Sequence, residues 1–217
     1  MELYDAMSSL RAVRRLRPDP IPDLVLRRVL TAATWAPTGG NMQPWRIVLV
    51  REGVRKQRLE DLYRPHWEAY LPGYAAKTAS LSGDALAKSN RAIEAGNYLA
   101  THLHQAPAIA VFCFNPQIMT ITDSDLTRPS VVGGGSLYPA VQNLLLACRN
   151  EGLGCVLTTL LCIEEDTVRE LLELPDGWYT CAHVPIGYPV GGGYGAISRR
   201  SVDEMVFEDA WGDSLSC

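Results

Sequence analysis

The sequence lacks every short signature of a metal site or a redox dithiol. Its six cysteines, at 113, 148, 155, 162, 181 and 217, form no CxxC pair and no Cys/His cluster, so neither zinc nor dithiol chemistry is indicated. Most of them sit inside apolar runs and read as small buried hydrophobes. Four histidines are present, His66, His102, His104 and His183. His102 and His104 lie two apart on a stretch that reads as helix, so they point in different directions and make a poor ligand pair.

Long apolar runs are missing too. Pro, His, Asn or Gly interrupts each of them well short of the roughly 20 residues that span a bilayer. The chain opens Met-Glu-Leu-Tyr-Asp, acidic where a secretory signal is basic and with no apolar run behind it, so the expected compartment is the cytoplasm. Excess positive charge is absent: 20 Lys and Arg stand against 24 Asp and Glu, which argues against a nucleic-acid footprint. No P-loop and no GxSxG elbow occurs. Gly187 to Gly195 is glycine-rich, but its spacing is not GxGxxG and no evident helix follows, so a Rossmann site is not expected. The run Glu164-Glu165-Asp166 reads as helix-start charge rather than as acid/base machinery. There is no internal repeat, low-complexity tract or linker.

What is there is an ordinary globular composition, 47% hydrophobic and 20% charged over 217 residues, enough to bury one core without staples. Residues 2–10 read as a short helix with Leu3, Met7 and Leu10 on one side. Pro22-Asp23 opens a second helix to about Trp35, with Leu26, Val29, Leu30 and Ala33 at helical spacing. Ile47–Val50 reads as a buried strand. The stretch 53–105 reads as helical and more polar, with a break at Leu71-Pro-Gly73. Ala108–Phe114 is strand-like. Leu137–Asn150 is an apolar helix ended by Gly152 and Gly154, Cys155–Thr159 a strand and Glu164–Leu172 a helix. Ala182–Gly187 is a strand whose Pro185 suggests an edge or bulge position. Arg199–Trp211 carries no clear pattern. Helices outnumber strands without regular alternation, so the fold class is α+β, a central sheet of four or five strands packed between helices.

Three segments carry the groups that a phosphorylated aromatic cofactor needs. The basic run Arg11, Arg14, Arg15, Arg17 offers guanidinium forks for phosphate, facing one side if the segment continues the helix; alternatively it is a solvated surface. The loop Pro37-Thr-Gly-Gly-Asn-Met-Gln-Pro-Trp45 supplies a hydroxyl, two glycines for close backbone approach, and two amides; read blandly, it is a helix-to-strand connection. Gly152-Leu-Gly-Cys-Val-Leu-Thr-Thr159 ends a strand in two hydroxyls, although Thr is common in strands.

In this order the segments resemble the FMN-dependent nitroreductase family over nearly the whole chain. Leu10-Arg-Ala-Val-Arg-Arg-Leu16 is similar to the family's Arg-Arg-Ser-x-Arg-x-Phe motif, with Leu10, Ala12 and Leu16 departing from it. Ala36-Pro-Thr-Gly-Gly-Asn-Met-Gln-Pro-Trp45 is similar to Ala-Pro-Ser-x-x-Asn-x-Gln-Pro-Trp. Gln142-Asn-Leu-Leu-Leu-Ala147 with Gly152-Leu-Gly154, and Arg199-Arg200 near the C-terminus, complete the match. The resemblance implies one nitroreductase-like domain over 1–217, a mostly antiparallel sheet flanked by helices, and a homodimer with FMN at its interface. It implies that about 55–105 is a variable helical lid on the substrate side. The implied cofactor-binding set is Arg11, Ala12, Arg14, Pro37, Thr38, Gly39, Asn41, Gln43, Thr158, Thr159 and Arg199. Arg11 and Arg14 would serve the phosphate and pyrimidine side, Thr38, Gly39, Asn41 and Gln43 would come from the partner subunit, and Thr158 and Thr159 would lie near the flavin N5/O4 edge. Either Arg199 or Arg200 returns to the phosphate. The implied activity is ping-pong hydride transfer from NADH or NADPH through FMN to an electron-poor aromatic or similar acceptor. Arg14 gives electrostatic support, and no protein residue or metal is catalytic. The alternatives are the same cofactor with other chemistry (dehydrogenation, reductive dehalogenation, flavin fragmentation) or a flavin binder without turnover.

Overall fold

Ala-Ile-Ala-Val-Phe-Cys-Phe, residues 108–114, is apolar at every position, and the computed structural model shows why. This strand lies at the centre of a sheet covered on both faces. The structure describes residues 1–216; Cys217 lies outside the described residues. In chain order the elements are α1 (Leu3–Ser9), β1 (Leu16–Arg17), α2 (Asp23–Thr34), β2 (Trp45–Val50), α3 (Gly53–Thr78), α4 (Gly83–His102), β3 (Ala108–Phe114), α5 (Tyr138–Asn150), β4 (Gly154–Cys155), α6 (Glu165–Leu171), β5 (Tyr179–Pro189) and α7 (Val202–Met205). The sheet runs β1-β5-β3-β2 with β4 also paired to β5, and every pairing is antiparallel. Ala108, Ala110 and Phe112 face a core built with α2 and α5; Ile109, Val111 and Cys113 face a second core built with α3, α4 and α6. The expected α+β sheet between helices is the observed architecture.

Four readings of the chain need correction. The basic run does not continue α1: the helix ends at an extended Leu10, and buried Val13 is held to β4 by its N–H donating to the Cys155 carbonyl at 2.9 Å. Arg11 and Arg14 therefore sit on extended chain. Helix α3 does not break at 71–73 but runs on to Thr78 through Pro65 and Pro72. The carbonyls freed around Pro72 lie on an exposed stretch and meet water. The turn comes at 79–82, before Gly83 at φ 54°.

The strand expected over 155–159 pairs as a strand only at Gly154 and Cys155 and returns as a single bridge between Thr158 and His183. Pro185 explains that gap. It lies inside the long central strand β5, at neither an edge nor the bulge, which falls between Phe112 and Cys113 of β3. Its missing N–H would point toward β4 at Val156, so the ladder there is interrupted while pairing with β3 continues. The chain at 156–157 is thereby freed for another use.

Cys113, Cys148, Cys155 and Cys181 are buried as expected, and Cys162 is partly buried. Burial pushes the Cys113 and Cys181 thiols up to about 12, which makes them inert packing groups. No described helix is long and apolar enough to cross a membrane.

Candidate active site

The site starts from the close approach of two backbones. A Cβ on Gly154 would fall 2.7 Å from Val13 Cγ1 and 2.9 Å from Leu16 Cδ2, so only glycine lets the segment 11–16 lie flat on β4. Arg11, Ala12 and Arg14 then line a cavity of about 410 Å³, closed by Gln142 of α5, by Cys155–Leu157, and by Arg199. Arg200 is not against it. A second cavity of about 230 Å³ adjoins, sharing Arg14, Val156 and Leu157 and adding Thr158 and Thr159. The larger space is within the usual range of small-ligand sites, roughly 300–1,000 Å³.

Electrostatically the site is one-sided. No carboxylate of the described residues lines either cavity. Among the described residues the ion pairs include none of Arg11, Arg14 and Arg199, although the chain is acidic overall. The Arg199 guanidinium donates, among the described residues, only to the Ser198 carbonyl beside it. Three guanidiniums around one hollow, with no counter-ion among the described residues, have the chemistry to receive an anion.

Thr158 is buried and exchanges both backbone hydrogen bonds with His183, at 3.0 and 2.9 Å. The His183 ring is fully buried, with neither nitrogen partnered among the described residues. Burial depresses its pKa to about 4, so the ring is neutral and serves as packing. Tyr63 of α3 reaches the same place. Burial raises its phenol pKa, while a hydrogen bond with Thr158 and the charge of Arg14 pull the other way. Tyr63, Trp67 and Tyr70 all line the smaller cavity. They were not among the residues expected at the site. The signal was available: aromatics at 63, 67, 70 and 74 fall on one helical face.

The loop Pro37–Gln43 is not brought to these cavities. Its backbone turns left-handed at Gly40 (φ 58°), Asn41 (φ 56°) and Gln43 (φ 48°). Gln43 N–H donates to Thr38 Oγ1 and Gly39 N–H to Ser136 Oγ, each at 3.1 Å. The loop is thus braced at the start of α5, with Asn41 and Gln43 exposed. Two non-glycine residues are held in a costly backbone conformation, and the Gln43 side-chain amide donates to the Asn41 carbonyl at 3.2 Å and to Asn41 Oδ1 at 3.3 Å. Within one chain the expected site residues therefore form two groups: Arg11, Ala12, Arg14, Thr158, Thr159 and Arg199 together, and Pro37, Thr38, Gly39, Asn41 and Gln43 apart.

A family model described as "Nitroreductase family" matches residues 8–188. The chain belongs to the nitroreductase family. It is 34% identical to a protein named NADH dehydrogenase from Thermus thermophilus, over 85% of each chain. It is 30% identical to a 5,6-dimethylbenzimidazole synthase of Rhodospirillum rubrum, over 82% of this chain and 78% of the relative. The fold superposes on the NADPH:FMN oxidoreductase of Vibrio harveyi, determined in complex with NAD+, with a TM-score of 0.69 and 18% identity, covering 98% of this chain and 79% of that one. The chain is accordingly an oxidoreductase with the nitroreductase-like fold that its motifs implied.

Proposed function

We propose that this protein is an FMN-dependent oxidoreductase of the nitroreductase type, which takes electrons from NADH or NADPH and passes them to a flat, electron-poor acceptor. The observation that carries this reading is the set of three guanidiniums, Arg11, Arg14 and Arg199, around a hollow that no carboxylate of the described residues lines. That donor set fits a phosphorylated cofactor: a neutral ligand leaves three cations unsatisfied, whereas a phosphate satisfies them. The Vibrio harveyi protein, named as an FMN oxidoreductase, has the same fold. FMN, when bound, supplies the two-electron carrier between the nicotinamide and the acceptor.

The chain's own residues do the rest. Arg11 and Arg199 hold the phosphate. Arg14, where the two cavities meet, keeps a fixed positive charge beside the ring system and stabilises negative charge developing there. Thr158 and Thr159 offer hydroxyls to the polar ring edge. The exposed loop carrying Thr38, Gly39, Asn41 and Gln43 completes the site of a second copy in a homodimer. Exposed apolar side chains such as Tyr4, Trp35 and Met42 supply surface for such an association. Helices α3 and α4 form the substrate-side lid, and the protein works in the cytoplasm on small molecules.

The similarity to a dimethylbenzimidazole synthase, at nearly the same identity as to the NADH dehydrogenase, favours a second reading in which this site serves another chemistry. An absorption spectrum of the purified protein, recorded without oxygen before and after adding NADH or NADPH, separates the readings. Flavin bands that bleach support the reductase. Bound flavin untouched by either nicotinamide supports the second reading, and a protein that takes up no FMN overturns both.

A further inference from the structure

The smaller cavity has a wall that the cofactor-binding groups do not explain. Trp67 of α3 lies on α4 where Gly96 leaves room for it: a Cβ at Gly96 would stand 2.1 Å from Trp67 Cζ2 and 2.3 Å from Cη2. The indole N–H donates to Asn97 Oδ1 at 2.8 Å, so both the position and the tilt of the ring are set. Tyr70 follows at 5.9 Å between ring centroids, inclined by 33°. The ring is only partly buried although it is so firmly held, and it faces the same hollow as Arg14, Thr158 and Thr159. A large side chain that is locked on one side and open on the other is a prepared surface rather than core filling.

We propose that Trp67 is the specificity-determining platform of this enzyme, on which a flat aromatic acceptor of one or two rings rests beside the cofactor, and that Gly96 and Asn97 are positioning residues acting through it. The inference rests on the reductase reading above and names the acceptor's seat within it. Among the described residues no carboxylate lines the cavity, which admits neutral or anionic rings and offers a cationic one no partner there. A non-aromatic acceptor draws nothing from the platform.

The test compares two acceptors, menadione, which is flat and aromatic, and ferricyanide, which takes electrons without stacking. Rates are taken per FMN bound. For Trp67→Leu the ratio of kcat/KM for menadione to that for ferricyanide falls roughly three- to ten-fold, the scale of one ring-on-ring contact. Calorimetric titration of menadione into the oxidised protein, without nicotinamide, shows the same loss in Kd. Gly96→Ala, which must displace the indole, moves both readouts in the same direction, and adds nothing further in the Trp67→Leu background, where the clash is gone. A ratio and a Kd both unchanged within about twofold in Trp67→Leu overturn the platform, as does a Gly96→Ala effect that persists without Trp67. Failure of the underlying reading looks different: the unmodified protein takes up no FMN, or neither acceptor is reduced.

Discussion

At the scale of residues, the proposed cofactor site rests on charges that have no counter-ion among the described residues. A guanidinium bound to phosphate contributes about 1.5–3 kcal/mol through charge-assisted hydrogen bonds. Arg11→Gln and Arg199→Gln should therefore each weaken FMN binding by roughly ten- to a hundred-fold, read from the Kd in a fluorescence titration. Arg200→Gln, one residue further and away from the cavity, should leave it within about twofold. Equal losses at Arg199 and Arg200 would show that the cavity geometry does not select the phosphate ligand.

His183 acts on stability rather than on binding. Its folded pKa lies at about 4 against the usual 6.5, so protonation favours the unfolded chain. The stability it contributes is complete above pH 6.5 and is lost as pH falls toward 4, on the order of 3 kcal/mol in all. His183→Leu removes this linkage. Its melting temperature should fall less than that of the unmodified protein between pH 7 and pH 4.5, and parallel curves would refute the assignment.

At the scale of elements, the site is a consequence of two local rules in neighbouring strands. Gly154 permits the approach of segment 11–16, and Pro185 ends the ladder that would otherwise tie up 156–157. Gly154→Ala forces its new methyl into Val13 and Leu16, an overpacking that costs about 1–3 kcal/mol. The melting temperature of the FMN-free protein should drop by roughly 2–12 °C, and FMN affinity should fall with it because Arg11 and Arg14 flank the displaced Val13. An unchanged melt with weaker FMN binding would mean that the strand yields without strain.

Helix α3 shows the opposite case, in which propensity was overruled. Two prolines do not break it, and its N-terminal half is tied down. Buried Lys56 donates to the Ala106 carbonyl at 2.7 Å, and buried Glu60 receives the Arg64 guanidinium at 2.9 Å and the His104 N–H at 3.1 Å. The bonds to Ala106 and His104 reach across 50 and 44 residues of chain, and no local pattern announces them.

At the scale of the whole molecule, the two groups of site residues sit apart in one chain, and the proposed homodimer brings them together. Subunit mixing tests this directly. A chain carrying Arg11→Gln and Arg199→Gln, and a chain carrying Asn41→Ala and Gln43→Ala, should each bind FMN weakly alone. Refolded together they should recover tight binding in one site of every mixed dimer, because one chain supplies all the intact arginines and the other the intact loop. No recovery despite mixed dimers, shown by sedimentation and mass spectrometry, would mean that each chain builds its site alone.

The sequence by itself determined the class of fold, the family, and the residues that hold charge. Apolar periodicity records which faces are buried, and the motifs Arg11-Ala-Val-Arg14 and Pro37–Trp45 are contiguous and carry their chemistry in residue type. Only the tertiary structure decided which of these meet. It set Arg199 rather than Arg200 at the cavity, kept the Pro37–Gln43 loop away from it, and brought Tyr63, Trp67 and Tyr70 to Thr158. The physical reason is that a cavity is lined by residues distant in sequence. Their convergence depends on where two backbones can touch, here at Gly154, and on where a ladder stops, here at Pro185. Neither event has a period that a sequence can display.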